Sequence, residues 1–152
     1  MMRKLWIASV VLLAGCVPYD SDITLELAAE NAVKANLVDP DSAEFSDVRV
    51  AREPIDPESE SKNQRVFVCG YVNSRNRMGG FAGKTRFVSH ITLLHDFDSY
   101  HSGYLAIEDR ESRLASLATN DSDRPQSLFE ESHWNAYCHY AGFAKTFTGE
   151  RW

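Results

Sequence analysis

Arg65 to Val72, RVFVCGYV, narrows the possible folds of this chain more than any other segment. Phe67, Cys69 and Tyr71 alternate with Val66, Val68 and Val72, so a strand here is apolar on both faces. Strands with one wet face alternate apolar with polar residues instead. This pattern predicts a sheet covered on both sides. Thr85 to Leu94, TRFVSHITLL, has the same two-sided character and predicts a second such strand. SAEFSDVRVAR, residues 42–52, reads as a further strand through Phe45, Val48 and Val50, irregular near Asp47. Gly103 to Ile107 reads as a short additional one.

Two helical segments are available as cover. From Ile23 to Val38, Leu25, Ala28, Ala29, Ala32 and Val33 share one face, and Glu26, Glu30 and Lys34 lie on the other. Asp22 is the expected cap, and Asp39-Pro40 ends the run because a residue before proline is pushed out of the helical region. The small alanine face suits close packing on a sheet. Near the other end, Ser127 and Glu130 in SLFE form a capping box. Phe129, His133, Ala136, Tyr137 and Tyr140 should line one helical face, with Trp134 and Cys138 at its flank and Gly142 as a left-handed stop. The expected fold is α+β: a small antiparallel sheet of three to four strands packed against an N-terminal and a C-terminal helix. Glu108 to Ala118 is a weaker helical segment, TNDSDRPQ a turn-rich linker, and Glu53 to Gln64 a solvated polar loop. The acidic residues of that loop lack the spacing and central glycine of a calcium loop.

The N-terminus carries a different signal. MMRK is a short basic head, LWIASVVLLAG is apolar, and the run stops at Cys16. It is shorter than the ~18–20 residues that cross a bilayer and reads as an export signal. LLAGC resembles the bacterial lipobox, in which cleavage before the cysteine leaves a lipidated N-terminal residue. The expectation is a signal peptide over 1–15, a lipidated Cys16 with a tether to residue 22, and a single α+β domain over 23–152. Val17 in place of Asp suggests, by resemblance to known sorting signals, the periplasmic face of the outer membrane.

With Cys16 modified, Cys69 and Cys138 are the remaining thiols. In an exported domain they are expected to pair, stapling the sheet to the C-terminal helix. The alternative is a reactive Cys69 served by a histidine, which no C-x-x-C or other spacing supports. The formal charge is −6, and losing Arg3 and Lys4 with the signal takes it to −8. Nucleic-acid binding needs clustered positive charge, which this balance opposes. Oligomeric state is not legible.

One stretch carries local positive charge, VCGYVNSRNRMGGFAGKTRFVS, from Val68 to Ser89. Its GGFAGKT is one residue short of the phosphate-binding G-x-x-x-x-G-K-T, and Thr85 leads into a strand rather than a helix. Asn73, Gly79, Gly80 and Gly83 would shape a hairpin connection. Arg75, Arg77, Met78 and Phe81 are the candidate partner-binding residues, since arginine beside an exposed aromatic is the composition of interface hot spots. The alternative is a purely structural loop in which Phe81 folds over the sheet.

DPDSAEF at 39–45 together with this loop resembles a family of small uncharacterised bacterial secreted proteins and lipoproteins. The matching residues are Asp39, Pro40, Ser42, Ala43, Phe45, Cys69, Gly70, Val72, Asn73, Gly79, Gly80, Phe81, Gly83 and Phe87. The resemblance spans about residues 23–94 and implies a shared fold and loop, without an activity.

No catalytic or metal-binding pattern emerges. His90, His95 and His101 span a strand and loop, and His133 and His139 fall on different faces of a helix. H-E-x-x-H is absent, a composite of His95, Asp96 and Asp98 has no supporting spacing, and Glu130 and Glu131 are adjacent rather than opposed. Ser89-His90 has no nucleophile-elbow context. The expectation is a non-enzymatic envelope lipoprotein without a cofactor: a protein-binding or inhibitory module, or else an accessory structural protein. A metal-dependent or thiol enzyme is the more distant alternative.

Overall fold

The computed structural model describes residues 17–55, 57, 58, 61–108, 124 and 126–149. Cys16 with its preceding segment, and positions 109–118 of the weak helical segment, lie outside them. Helix α1 runs over Asp22–Lys34. Strands β1 (Glu44–Arg52), β2 (Gln64–Asn73), β3 (Thr85–Leu94) and β4 (Ser99–Ile107) form one antiparallel sheet in sequence order. A C-terminal helical segment follows: a π turn Glu130–Trp134, an α turn Asn135–Tyr137 and a 3-10 turn Cys138–Ala141.

The two-sided strands produce two cores. Val66, Val68 and Val72 of β2, with Phe87, Ile91 and Leu93 of β3, pack under Leu25, Ala29 and Val33 of α1. On the other face Phe67 and Cys69, with Val88 and Ala106, pack under Phe129, Trp134 and Cys138. Cys69 and Cys138 are joined in a disulfide with Cα atoms 5.8 Å apart. The staple therefore runs from the middle of the sheet to the C-terminal segment, and both sulfurs are spent on it.

Several boundaries differ from expectation. Ser21, not Asp22, caps α1: its extended backbone lets Oγ accept the Thr24 N–H at 3.2 Å, which places Asp22 in the first turn. The helix stops at Lys34, four residues short of Val38. Strand β4 begins at Ser99, four residues before Gly103, because Asp98 in a left-handed conformation turns the chain straight out of β3. The irregularity near Asp47 is a break in the β1–β2 register between Ser46 and Arg49, with Asp47 at φ 49°. In the C-terminal segment Trp134 and Cys138 are central to the core rather than flanking it, and Tyr140 faces solvent. The π turn takes in one residue more than an α turn and so moves the buried positions one place along the chain.

The sheet has two distinct ends. Arg52, Gln64, Leu94 and Ser99 lie at one, beside Tyr19, whose hydroxyl hydrogen-bonds His95 Nδ1 at 2.9 Å. Glu44, Asn73, Thr85 and Ile107 lie at the other, which carries the glycine loop. Ten-residue strands separate these ends by roughly 30 Å.

Candidate functional site

The glycine loop joins β2 to β3 as an ordered small hairpin. Arg75 and Phe81 face each other across an isolated antiparallel bridge. Ala82 N–H donates to the Ser74 carbonyl at 3.0 Å, Asn76 N–H to the Gly80 carbonyl at 2.8 Å, and Gly79 N–H back to the Asn76 carbonyl at 2.9 Å. Asn76 Oδ1 also accepts the N–H groups of Met78 and Gly80. Asn73 Oδ1 accepts the Gly83 N–H at 3.0 Å and closes the loop at its base. Gly79 and Gly83 have φ of 79° and 89°, a region closed to most side chains, whereas Gly80 keeps an ordinary φ. Three of the four loop-shaping residues thus have a specific geometric task, and Gly80 serves through its backbone hydrogen bonds.

The loop leans on the segment 39–44. Ser42 Oγ accepts the Arg75 N–H at 2.9 Å and donates to the Asp39 carbonyl at 2.8 Å. A cavity of ≈ 280 Å³ opens between Asp39, Asp41, Glu44, Arg75 and Phe81. Segment 39–44 and the glycine loop therefore touch in space. Met78 at the tip is 95% exposed and Phe81 is 48% exposed, well away from the Val66–Val68 face. Arg77 is exposed as well. The Arg75 guanidinium lies over the Phe81 ring, 5.5 Å from its centroid. Arg75 and Phe81 thus form one cation–π unit, with Met78 and Arg77 beside it in the loop.

The histidines separate by environment. His101 and His139 are exposed, and His95 holds Tyr19. His90 and His133 meet beneath β4, ring centroids 5.8 Å apart, among Phe67, Tyr104 and Tyr137. Burial, then the nearby His133 and Arg65, lower the His90 pKa to about 4. Burial lowers that of His133 too. Their contact joins residues 43 positions apart on two elements, so no local spacing announced it. Among the described residues no group of three or more His, Cys, Asp or Glu is placed to hold a metal. His95, Asp96 and Asp98 do not make one.

Glu130 and Glu131 part company completely. Glu131 is exposed, while Glu130 is fully buried and accepts hydrogen bonds from Ser127 N–H, both Thr146 and Thr148 hydroxyls, and Thr148 N–H. Arg86 of β3 joins it at 3.2 Å, pairs with Glu108 and reaches the Thr146 hydroxyl. Burial by itself would raise the Glu130 pKa, and these donors outweigh it and bring it to about 2. The arrangement ties the C-terminal tail at Thr146 and Thr148 to β3 through Glu130 and Arg86. All its acceptors and donors are matched within the fold, which is what a structural bracket requires.

Comparison of the chain with known protein families, with curated proteins and with solved structures found no match.

Proposed function

We propose that this chain is a bacterial envelope lipoprotein, anchored through Cys16, that acts as a non-enzymatic protein-binding or inhibitory module. The carrying observation is the exposed tip formed by Arg75, Arg77, Met78 and Phe81 on an ordered hairpin, some 30 Å from the Tyr19 end of the sheet. An anchor at Cys16 would put that tip on the side facing away from the bilayer, toward envelope proteins. The hydrogen bonds of Asn73, Asn76 and Ser42 hold the loop before any partner arrives, which lowers the ordering cost of binding. Membership of the family of small secreted proteins and lipoproteins belongs to this reading. So does the outer-membrane location.

The second reading, an accessory structural protein, draws on the same Ser42–Arg75 bond, since a loop that braces 39–44 contributes to folding. One experiment separates the two. The triple variant Arg75→Ala, Arg77→Ala, Phe81→Ala is compared with wild type for capture of partners from envelope extract and for thermal melting. Truncating a buried Phe costs ~3–5 kcal/mol, whereas losing an exposed cation–π pair costs ~0.5–1 kcal/mol. A contact loop gives lost capture with a nearly unchanged melting curve. A large stability loss with an unchanged set of captured proteins makes the loop a scaffold.

A further inference from the structure

The end of the sheet opposite the glycine loop collects exposed apolar side chains from separate segments. Phe97, in the turn between β3 and β4, is 77% exposed, and Ile23, in the first turn of α1, is 69% exposed. Val17 before the helix and Ile55 after β1 are exposed too. Single exposed apolar residues are ordinary, but these four stand on segments from distant parts of the chain that lie at the same end of the sheet. Polar contacts hold these segments together. Arg52 reaches the Asp20 carbonyl at 2.8 Å and Asp22 at 2.6 Å, Tyr19 reaches His95, and Lys62 lies 3.9 Å from Asp96.

The chain that leads into this surface identifies what covers it. The apolar run Leu5 to Gly15 ends at Cys16, immediately before Val17. Pro18 is already fastened to the domain, its carbonyl accepting the Thr24 hydroxyl at 2.8 Å and the Ser21 N–H at 3.2 Å. Tyr19 is fastened by His95. Cys16 and Val17 alone lie between a lipid on Cys16 and this fastened chain, about 7 Å at full extension. Such a tether is too short for the domain to float clear of a bilayer.

We propose that this end of the domain rests on the membrane, with Val17, Ile23, Ile55 and Phe97 seated among the headgroups of a zwitterionic phospholipid surface. The proposal rests on the anchoring through Cys16 proposed above. Apolar faces of peripheral segments settle about 5–10 Å into the headgroup and acyl boundary, a depth that side chains projecting from turns can reach. The charge around the patch selects the lipid. Asp20, Asp22, Asp96 and Asp98 surround it, while Arg52 and Lys62 are engaged with two of them, so an anionic surface would repel this end. The bilayer and the glycine loop would then occupy opposite ends of one sheet.

The test uses the full chain, isolated with its N-terminal modification and reconstituted in phosphatidylcholine–phosphatidylethanolamine vesicles with brominated acyl chains. Phe97→Trp places a fluorophore in the patch, and Met78→Trp places one at the far tip. Each spectrum is read as its difference from the parent protein, and unchanged melting curves show that both variants fold. Quenching and a blue shift at position 97, with neither at 78, is the expected result. A protein that co-sediments with vesicles while position 97 stays water-exposed keeps the anchor and overturns the docking. Equal quenching at both positions overturns it as well, because no defined end would face the bilayer. Failure to co-sediment removes the anchor, and this proposal falls with it.

Discussion

Replacing Glu130 by Gln should destabilise the protein strongly at neutral pH and hardly at all in strong acid. The carboxyl titrates at about 2 in the folded protein against an ordinary value of 4.5. Each unit of difference is worth about 1.36 kcal/mol, so the folded state draws on the order of 3 kcal/mol from the ionised group. Because the folded pKa is the depressed one, this contribution is complete above pH 4.5 and disappears as pH falls toward 2. Gln keeps one oxygen for the Ser127 N–H but turns an NH2 group toward the donors of Thr148 and Thr146, and leaves Arg86 with Glu108 as its carboxylate. Breaking one partner out of a buried ion pair costs about 3–5 kcal/mol by a separate route, which agrees in size. Urea denaturation of wild type and variant at pH 7, 4.5, 3 and 2 measures it. The gap between them should be about 3 kcal/mol at pH 7 and close to nothing at pH 2. A gap of the same size at both ends of the series would mean that packing, not charge, sets the cost, and would refute the reasoning.

His90 should act in a higher pH window: its folded pKa of about 4 lies below the ordinary 6.5, so stability is complete above 6.5 and falls between 6.5 and 4. The loss is at most about 3 kcal/mol, reduced by solvent at the exposed edge of the ring, and His90→Phe should make that part of a stability–pH curve shallower, with the buried His133 still contributing below 6.5, while leaving the Glu130 part intact. The double change Cys69→Ser, Cys138→Ser opens a closed loop with a sequence separation of 69 and should lower stability by about 4 kcal/mol in denaturant titration. Cys16→Ser should give a protein lacking the mass of an acyl-glyceryl group, and intact-mass measurement of a wild-type membrane fraction without that increment would end the anchoring proposal.

What the amino-acid pattern revealed, and what it hid, divides along the line between local and long-range interactions. Strand β3 occupies Thr85–Leu94 as its pattern predicted: a run apolar on both faces could also be a buried helix by period alone, but this one is short and rich in the β-branched and aromatic residues Phe87, Val88, Ile91 and Thr92. The capping box at Ser127 and Glu130 was equally legible, because both partners lie within one turn. In β4, by contrast, Ser99 to Ser102 are mostly exposed, so no burial period marked the start of the strand. Arg86 was invisible in a different way. An arginine inside an apolar strand becomes intelligible only once Glu108 and Glu130 arrive from 22 and 44 residues away. The loop fell between these cases: its glycines announced a turn, but the bond from Arg75 to Ser42 depends on where α1 delivers the segment 39–44.

The same division bears on how much the two ends of the sheet can change without unfolding it. The disulfide and both apolar cores attach mainly to the interiors of β2 and β3, and the Arg86–Glu130 bracket grips the start of β3 on the face covered by the C-terminal segment. Cooperative stability concentrates where buried contacts are densest, so the connections at either end contribute little to it. The glycine loop spends polar contacts on its own shape, and the turn holding Phe97 leaves that ring in solvent. A substitution of Met78 or Phe97 should therefore cost no more than about 0.5 kcal/mol, the range expected for exposed positions. Surfaces that can change without unfolding the sheet are the ones on which binding can be tuned, and in this chain they lie at opposite ends of a stapled core.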